Sequence, residues 1–413
     1  MPNQRKPAIV FIFITLVLDI IGIGLIVPIL PKLITELHGG GESGSALTYG
    51  LLVAIYSTMQ FIFAPLLGSL SDRFGRRPII LISLLGAGLD YFLLAWAPTL
   101  TWFFIGRILS GITGANFSAA AAYIADVSPP EKRAANFGMI GAAFGIGFII
   151  GPAAGGLLSE FGLRVPFIAA GTLTLINFAY GLFVLPESLA QNNRRDFSWE
   201  RSNPVGALLD LKKFPSVTGL AWTFFLVNLA HQVYPSTWVL YTSYRYGWTS
   251  KEAGLSLATV GLMAAIVQGG LTRKIIPLLG EVRTTLLGLT VSAIAFIAYG
   301  IAPSGWIVYP IIIFGSLGGL ATPAIQALVS KPVAADQHGA VQGVLTSLVG
   351  LSGVFGPLLA TYLFGRFTGE NANPHVPGAA FFFAAGLASL ATILAIASSR
   401  RIADAARVPQ ESD

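Results

Sequence analysis

Three ionisable residues, Asp19, Asp90 and Arg107, lie inside long apolar runs. A charge in the middle of a bilayer costs a few kcal/mol or more, so such a group usually faces a wet cavity and has a role. A carboxyl group removed from water holds its proton tightly and yields it when a cation arrives beside it. That competition is the chemistry of exchanging a proton for a charged solute. Asp19, near mid-run beside Gly22 and Gly24, is the first candidate for the proton carrier. Asp90 is the second. It lies in the later part of its run, where a solvated rim position and a coupling role are both open. Arg107, near the start of its run, either snorkels to the interface or tunes the acidic site. The second half of the chain has no acid or base near the middle of a run apart from His231, a residue type that titrates near neutral pH.

Composition defines the elements that must hold these groups. The chain of 413 residues is 54% hydrophobic and only 11% charged, with a mean hydropathy of +0.72. A soluble globular chain carries about a quarter charged residues, so the class expected is an all-α polytopic membrane protein. The net charge of +6 sits in short loops and reads as membrane topology, with no nucleic acid as partner. With no cysteine there is no disulfide or thiolate chemistry. A Gly-rich phosphate loop with Lys and Ser/Thr and an H-E-x-x-H pair are both missing from the sequence, which argues against an enzyme or a nucleotide-driven pump. After Arg5 and Lys6 the first apolar run is too long for a signal peptide and is expected to stay as a span.

About twelve runs reach the roughly 20-residue length that a bilayer requires. They fall near 8–30, 48–69, 79–97, 102–124, 135–158 and 165–185, then 217–241, 253–271, 284–302, 306–329, 339–364 and 379–397. The expected organisation is a six-helix bundle over 1–185, a polar central loop over 186–215 and a second bundle with a short tail over 216–413. Of the 25 Lys and Arg residues, nineteen fall on the side of the termini and five on the other, with Arg107 inside a span. That asymmetry places both termini in the cytoplasm. The halves repeat each other. Gly68-Ser-Leu-Ser-Asp72-Arg73 returns degenerately as Gly270-Leu-Thr-Arg-Lys274, and Gly151-Pro152 returns as Gly356-Pro357.

Gln60, Asn116 and Ser118 from one half and Asn228, His231, Gln232, Gln268 and Gln326 from the other are candidates to line a cavity. Polar side chains in spans also serve as interhelical glue, and both uses are open. Tyr56, Phe117, Phe225, Tyr234 and Trp238 suit either stacking on a planar ligand or core packing. Asp72 and Asp126 sit at span ends beside Arg73, Arg76 and Arg77. They read as a latch, with Asp126 paired to Arg76 and Asp72 facing the N-terminal end of the eleventh helix, whose dipole favours a carboxylate.

The stretch Gly68–Pro78, Gly-Ser-Leu-Ser-Asp-Arg-Phe-Gly-Arg-Arg-Pro, resembles the signature loop of the major facilitator superfamily. Asp19–Pro31 and Arg107–Gly111 are similar to the first- and fourth-helix motifs of its twelve-span drug–proton antiporters. Gly147–Gly156 resembles their fifth-helix exporter motif, although its spacing of small residues alone reads as helix packing. Asp72–Pro78, Leu81–Tyr91, Arg107–Ala115, Ile124–Asp126, Ser236–Trp248 and Gly353–Leu359 look like the tetracycline–proton antiporters.

The resemblance implies the major facilitator fold, two pseudo-symmetric six-helix bundles with a substrate site between them. It implies a proton-coupled multidrug or tetracycline-like efflux antiporter of the bacterial inner membrane working by alternating access. Transport of an endogenous metabolite such as a siderophore or peptide is the alternative. On this reading Asp19, Asp90 and Arg107 couple protons. Gln60, Asn116, Asn228, His231, Gln232, Trp238 and Gln268 bind substrate, and Gly68, Asp72, Arg73, Gly75, Arg76, Arg77, Asp126, Gly151 and Pro152 gate. The expected partners are a small amphipathic substrate, protons and the lipid bilayer. No cofactor and a monomer are expected, with a divalent-metal chelate as substrate if it is tetracycline-like. Two departures stand out: Ala264 and Ser292 occupy positions where the tetracycline branch carries a histidine and an aspartate.

Overall fold

The computed structural model describes residues 9–405 except 115, 130–131, 198, 200–202 and 335–336; for 116, 133–135, 207 and 401–405 it describes the backbone only. Arg5, Lys6, Arg201 and Arg407 therefore lie outside the described residues, and Asn116 is described without its side chain. A chain in hydrocarbon must satisfy its backbone within each segment, which selects helices. The first half runs α1 (Ile9–Ile26), α2 (Leu30–His38), α3 (Gly41–Phe74), α4 (Arg76–Trp96), α5 (Leu100–Thr113), α6 (Asn116–Val127), α7 (Arg133–Leu158) and α8 (Val165–Val184). A short α9 (Pro204–Leu209) lies in the central segment. The second half runs α10 (Thr218–His231), α11 (Val233–Tyr246), α12 (Ser250–Ile266), α13 (Thr272–Leu279), α14 (Glu281–Ile301), α15 (Gly305–Gly315), α16 (Ala321–Ser330), α17 (His338–Thr368) and α18 (Ala379–Ala405).

Among the described residues, 11 helical stretches are long and apolar enough to cross a membrane. The twelfth span, seventh in the chain, is present but divided at Gln232 into α10 and α11. Pro235 has no N–H to offer the His231 carbonyl, and the Gln232 N–H instead bonds Leu229 O at 3.2 Å. Other spans are interrupted too: α1 and α2 by a turn at Pro28, α15 and α16 by a 3-10 turn over Ser316–Leu320, and α12 and α13 by a π-turn over Val267–Leu271.

The two halves repeat in their packing. Gly151 of α7 lies against α1, where a Cβ would come 2.7 Å from Gly24 Cα. Its counterpart Gly356 of α17 packs on Gln232, at the break in the seventh span. Gly75, at φ 108°, and Gly280, at φ 77°, make the turns that open the two 21-residue helices α4 and α14. The register is not the one the sequence suggests. Gly75 follows Gly68 by seven residues, whereas Gly280 follows Gly270 by ten, so the Gly270 stretch sits further from its turn than Gly68 does.

Candidate functional site

Between the halves lies a cavity of about 360 Å³. The first half contributes Asp19 from α1, Tyr56 from α3, Tyr91 from α4 and Arg107 from α5, and the second half faces them with Tyr234 and Trp238 from α11. Asp19 is 5% exposed and Arg107 9%. The Arg107 guanidinium lies over the Tyr56 ring, 4.3 Å from its centroid, a contact that strengthens when desolvated. Glycines bring α1 this close to its neighbours. Gly22 faces Thr174 of α8, and Gly24 faces Gly151 of α7, where a Cβ on Gly24 would lie 2.9 Å from Gly151 Cα.

Asp90 is not a solvated rim residue. It is 3% exposed, packed between α4 and α5 against Gly106. One carboxylate oxygen accepts the Ser110 hydroxyl, and the other has no hydrogen-bond partner among the described residues. Ser110 itself lines the cavity, so Asp90 communicates with it through that hydroxyl. The sequence places Asp90 by its distance along the span, which says nothing of the direction it faces.

A second lobe of about 510 Å³ shares Tyr234, Trp238, Leu257 and Val260 with the first and continues to His231, Gln268, Tyr299 and Gln326. Aromatic rings build its wall: Trp238 meets Tyr299 edge to face at 5.2 Å, and His231 stacks on Tyr234 at 6.0 Å. Trp238 is held by its indole N–H, which donates to Ser256 Oγ at 2.9 Å. Among the described residues, no Asp, Glu, Lys or Arg lines this lobe. Ala264 lies on its wall, while Ser292 is buried behind it against Gly318.

His231, Trp238 and Gln268 thus stand where the sequence reading put them. Gln326 also lines the second lobe, whereas Gln60, Asn228 and Gln232 line neither lobe. Gln60 donates to Tyr56 OH at 2.8 Å and to Gly114 O at 3.2 Å, so it braces a lining residue from behind. Asn228 donates to Phe224 O of its own helix at 2.7 Å, and Gln232 packs on Gly353 and Gly356 of α17. Phe225 meets Trp222 edge to face in the second-half core. Gln60 is consumed at a backbone break, Gln232 in a tight helix contact and Asn228 by its own helix, none of which composition reveals. Asn116's side chain lies outside the described residues.

The Asp72 loop forms a compact network. Arg76 bridges Asp72 at 2.5 Å and Asp126 at 3.1 Å, and donates to Ser71 Oγ at 2.7 Å. Asp126 pairs with Arg76 as expected. Asp72 also turns to Arg76, within its own half, instead of to the start of α17. Arg73 is exposed over the Phe74 ring, and Arg77 donates to Leu182 O. Glu187 is a residue that the sequence reading misses. Its carboxylate accepts the first N–H groups of α4, from Arg76 at 2.9 Å and Arg77 at 3.3 Å, and those of Ser188 and Leu189. An acid just past the sixth span, opposite a basic loop, is the signal that would have found it. Gly75 is needed twice over: its φ of 108° suits glycine, and any Cβ there would run into Glu187. Gly75→Ala is expected to cost about 1–3 kcal/mol, seen as a lower thermal midpoint of the detergent-purified protein; an unchanged midpoint would show that the loop adapts.

At the opposite end, polar contacts tie the halves together. Lys32 donates to Trp248 O at 2.8 Å, Ser43 to Thr368 Oγ1 at 2.8 Å, Tyr49 to Pro235 O at 2.9 Å and Ser243 to Glu42 at 2.9 Å. Lys251 pairs with Glu160 at 2.9 Å. Two glycine-lined seams run inward from this Lys251 face. In one, α3 meets α17 through Gly50, Gly350 and Gly353; in the other, α7 meets α12 through Gly156, Gly254 and Gly261. The exporter-like run on α7 therefore has two packing faces. Gly147, Gly151, Gly155 and the Pro152 ring lie on α1 of the same half, while the Pro152 carbonyl and Gly156 lie on α12 of the other.

Two helical halves clamped at one end around a buried cavity with one acid and one base define a membrane transporter. The sequence comparisons give its family. The Major Facilitator Superfamily profile matches residues 12–357, and the chain belongs to that superfamily. It is 39% identical over 380 residues to the tetracycline resistance protein, class C, of Escherichia coli, covering 92% of this chain and 95% of that protein. It is 31% identical to multidrug resistance protein 2 of Bacillus subtilis, covering 92% of each. Among solved structures, the human organic anion transporter MFSD10 (TETRAN) matches with a TM-score of 0.72 at 25% identity, covering 96% of this chain and all of that one.

Proposed function

We propose that the protein exports a flat, amphipathic, drug-like molecule of the tetracycline type in exchange for protons, by alternating access. The observation that carries this is the presence of both Asp19 and Arg107 on the wall of one buried cavity whose opposite wall is aromatic. An acid that is protonated in the empty cavity gives up its proton when a cationic group of the substrate comes beside it. Rings of Tyr234, Trp238 and Tyr299 offer stacking to the substrate body. The relatives named as tetracycline and multidrug resistance proteins support the substrate class. Ala264 leaves the second lobe without a titratable group at that position, so recognition there rests on shape, stacking and the hydrogen-bonding side chains of His231, Gln268 and Gln326.

The cytoplasmic side is the Asp72 face, because the basic residues collect there. The structure is then the inward-facing state, sealed on the periplasmic side by the Lys251-face contacts, in a monomer of the bacterial inner membrane. Asp72 and Arg76, released from α17 here, engage it when the cytoplasmic side closes. Reporter fusions after Asn193 and after Arg407 are expected to report cytoplasm, and one after Gly41 periplasm. A periplasmic signal at Asn193 would overturn the orientation. The function itself is tested by purified protein in proteoliposomes: tetracycline is expected to accumulate against its gradient when a pH gradient is imposed. No accumulation of tetracycline or ethidium at confirmed orientation would refute it.

A further inference from the structure

Below the α7–α12 seam the two helices part. A Cβ on Gly156 would lie 2.7 Å from Ser250 O, one on Gly261 2.8 Å from Phe148, and one on Gly145 3.2 Å from Ala265. One turn further toward the Asp72 face, a Cβ on Gly141 would meet nothing within 4 Å, and the same holds for Gly269 and Gly270 across from it. The π-turn over Val267–Leu271 lies at this level of α12. The result is a slot of about 830 Å³ between the helices. Its walls include the exposed apolar side chains Phe137, Phe144 and Ile146, with Arg273 at its end.

The slot is continuous with the substrate cavity. Phe148 and Val260 belong to both, and Ala264 and Gln268 join it to the aromatic lobe. A stair of stacked rings marks the route: Phe144 on Phe148 at 6.2 Å and Phe144 on Phe117 at 5.3 Å, nearly parallel at 24° and 26°. Phe144 belongs to the slot and Phe117 to the central cavity. Phe144 is exposed at the mouth of the slot, where its ring offers a stacking surface to an aromatic molecule dissolved in the adjoining leaflet.

We infer that this slot is a lateral portal through which a flat aromatic amphiphile passes from the Asp72-side leaflet into the cavity, by way of Phe144, Phe148 and Phe117. The inference rests on the efflux reading, and it makes the membrane, not the adjacent water, the source of substrate. A portal governs rates and leaves equilibrium affinity alone. Gly141→Trp fills the slot. Gly386→Trp, on α18, is the control, since a Cβ there also meets nothing within 4 Å.

The probe is tetracycline, with binding and release followed by stopped-flow fluorescence and transport followed in proteoliposomes. In Gly141→Trp both binding and release are expected to slow roughly tenfold, about 1.4 kcal/mol on the access barrier, with Kd unchanged, while Gly386→Trp matches the wild type. Because the chain has no cysteine, Gly141→Cys gives a second, reversible block. Benzyl methanethiosulfonate is expected to slow it and dithiothreitol to restore it. Wild-type binding rates in both blocked forms, equal slowing in Gly386→Trp, or a Kd that rises with the rate loss would each overturn the portal. Binding rates are read apart from pH-driven uptake, so a wild type that binds but does not accumulate substrate counts against the efflux reading alone.

Discussion

Asp19→Asn is expected to remove pH-driven accumulation by roughly a hundredfold, the scale set by losing a positioned proton-transfer group, while substrate counterflow without a gradient persists. The substitution keeps the size and burial of the side chain and removes its ionisation. The cavity walls of Tyr56, Tyr234 and Trp238 remain, so substrate still binds and still shuttles between the two faces. What is lost is the link between its arrival and the departure of a proton. Asp90→Asn is expected to do less. The amide oxygen of that variant still accepts the Ser110 hydroxyl, and Asp90 reaches the cavity only through that group. The check is proteoliposome transport with an imposed pH gradient beside counterflow. Full accumulation by Asp19→Asn would move the proton to another group, and loss in Asp90→Asn alone would assign it to α4.

The second large effect separates two roles within one run of small residues. Gly151→Val forces a branched side chain against the Gly24 backbone, inside the first half. Overpacking of this kind costs about 1–3 kcal/mol, and here it also pushes α1, and with it Asp19, away from its place. Low yield of folded protein and lost binding are expected. Gly254→Val acts across the halves instead, since a Cβ at Gly254 meets Pro152 O on α7. It pries open the Lys251-face seam, so the protein should fold but favour the outward-open state, with turnover reduced. Thiol labelling of single-cysteine variants at the two faces reads that shift. Equal folding defects in both variants would mean that the glycines serve packing only.

Much of this was legible in the residues. Apolar run length marked the spans, because a bilayer fixes how many residues a helix needs. The high cost of charge in hydrocarbon marked Asp19 and Arg107, and the structure places both on one cavity. The pairing of Arg76 with Asp126 was legible in the opposite charges that collect at the span ends. What stayed hidden was rotation and partnership. Hydropathy gives the depth of Asp90 but not that it points at Gly106 and Ser110. An amide in a span must be satisfied, but nothing local says that Gln60 will serve Gly114 O or that Asn228 will serve its own helix. Glu187 caps a helix 111 positions away in sequence, and the contacts from Lys32 and Ser43 join segments further apart still. The slot beside the π-turn depends on how two helices diverge, a property of the assembled halves.

Substrate binding is expected to displace a proton from Asp19. The most direct measurement is proton release on binding, with a pH-indicating dye in weakly buffered detergent solution. Preformed magnesium–tetracycline is added, so that chelation itself releases nothing. The wild type is expected to release protons in proportion to the substrate bound, and Asp19→Asn to bind while releasing none. Equal release from both proteins, or binding without release in the wild type, would contradict the account.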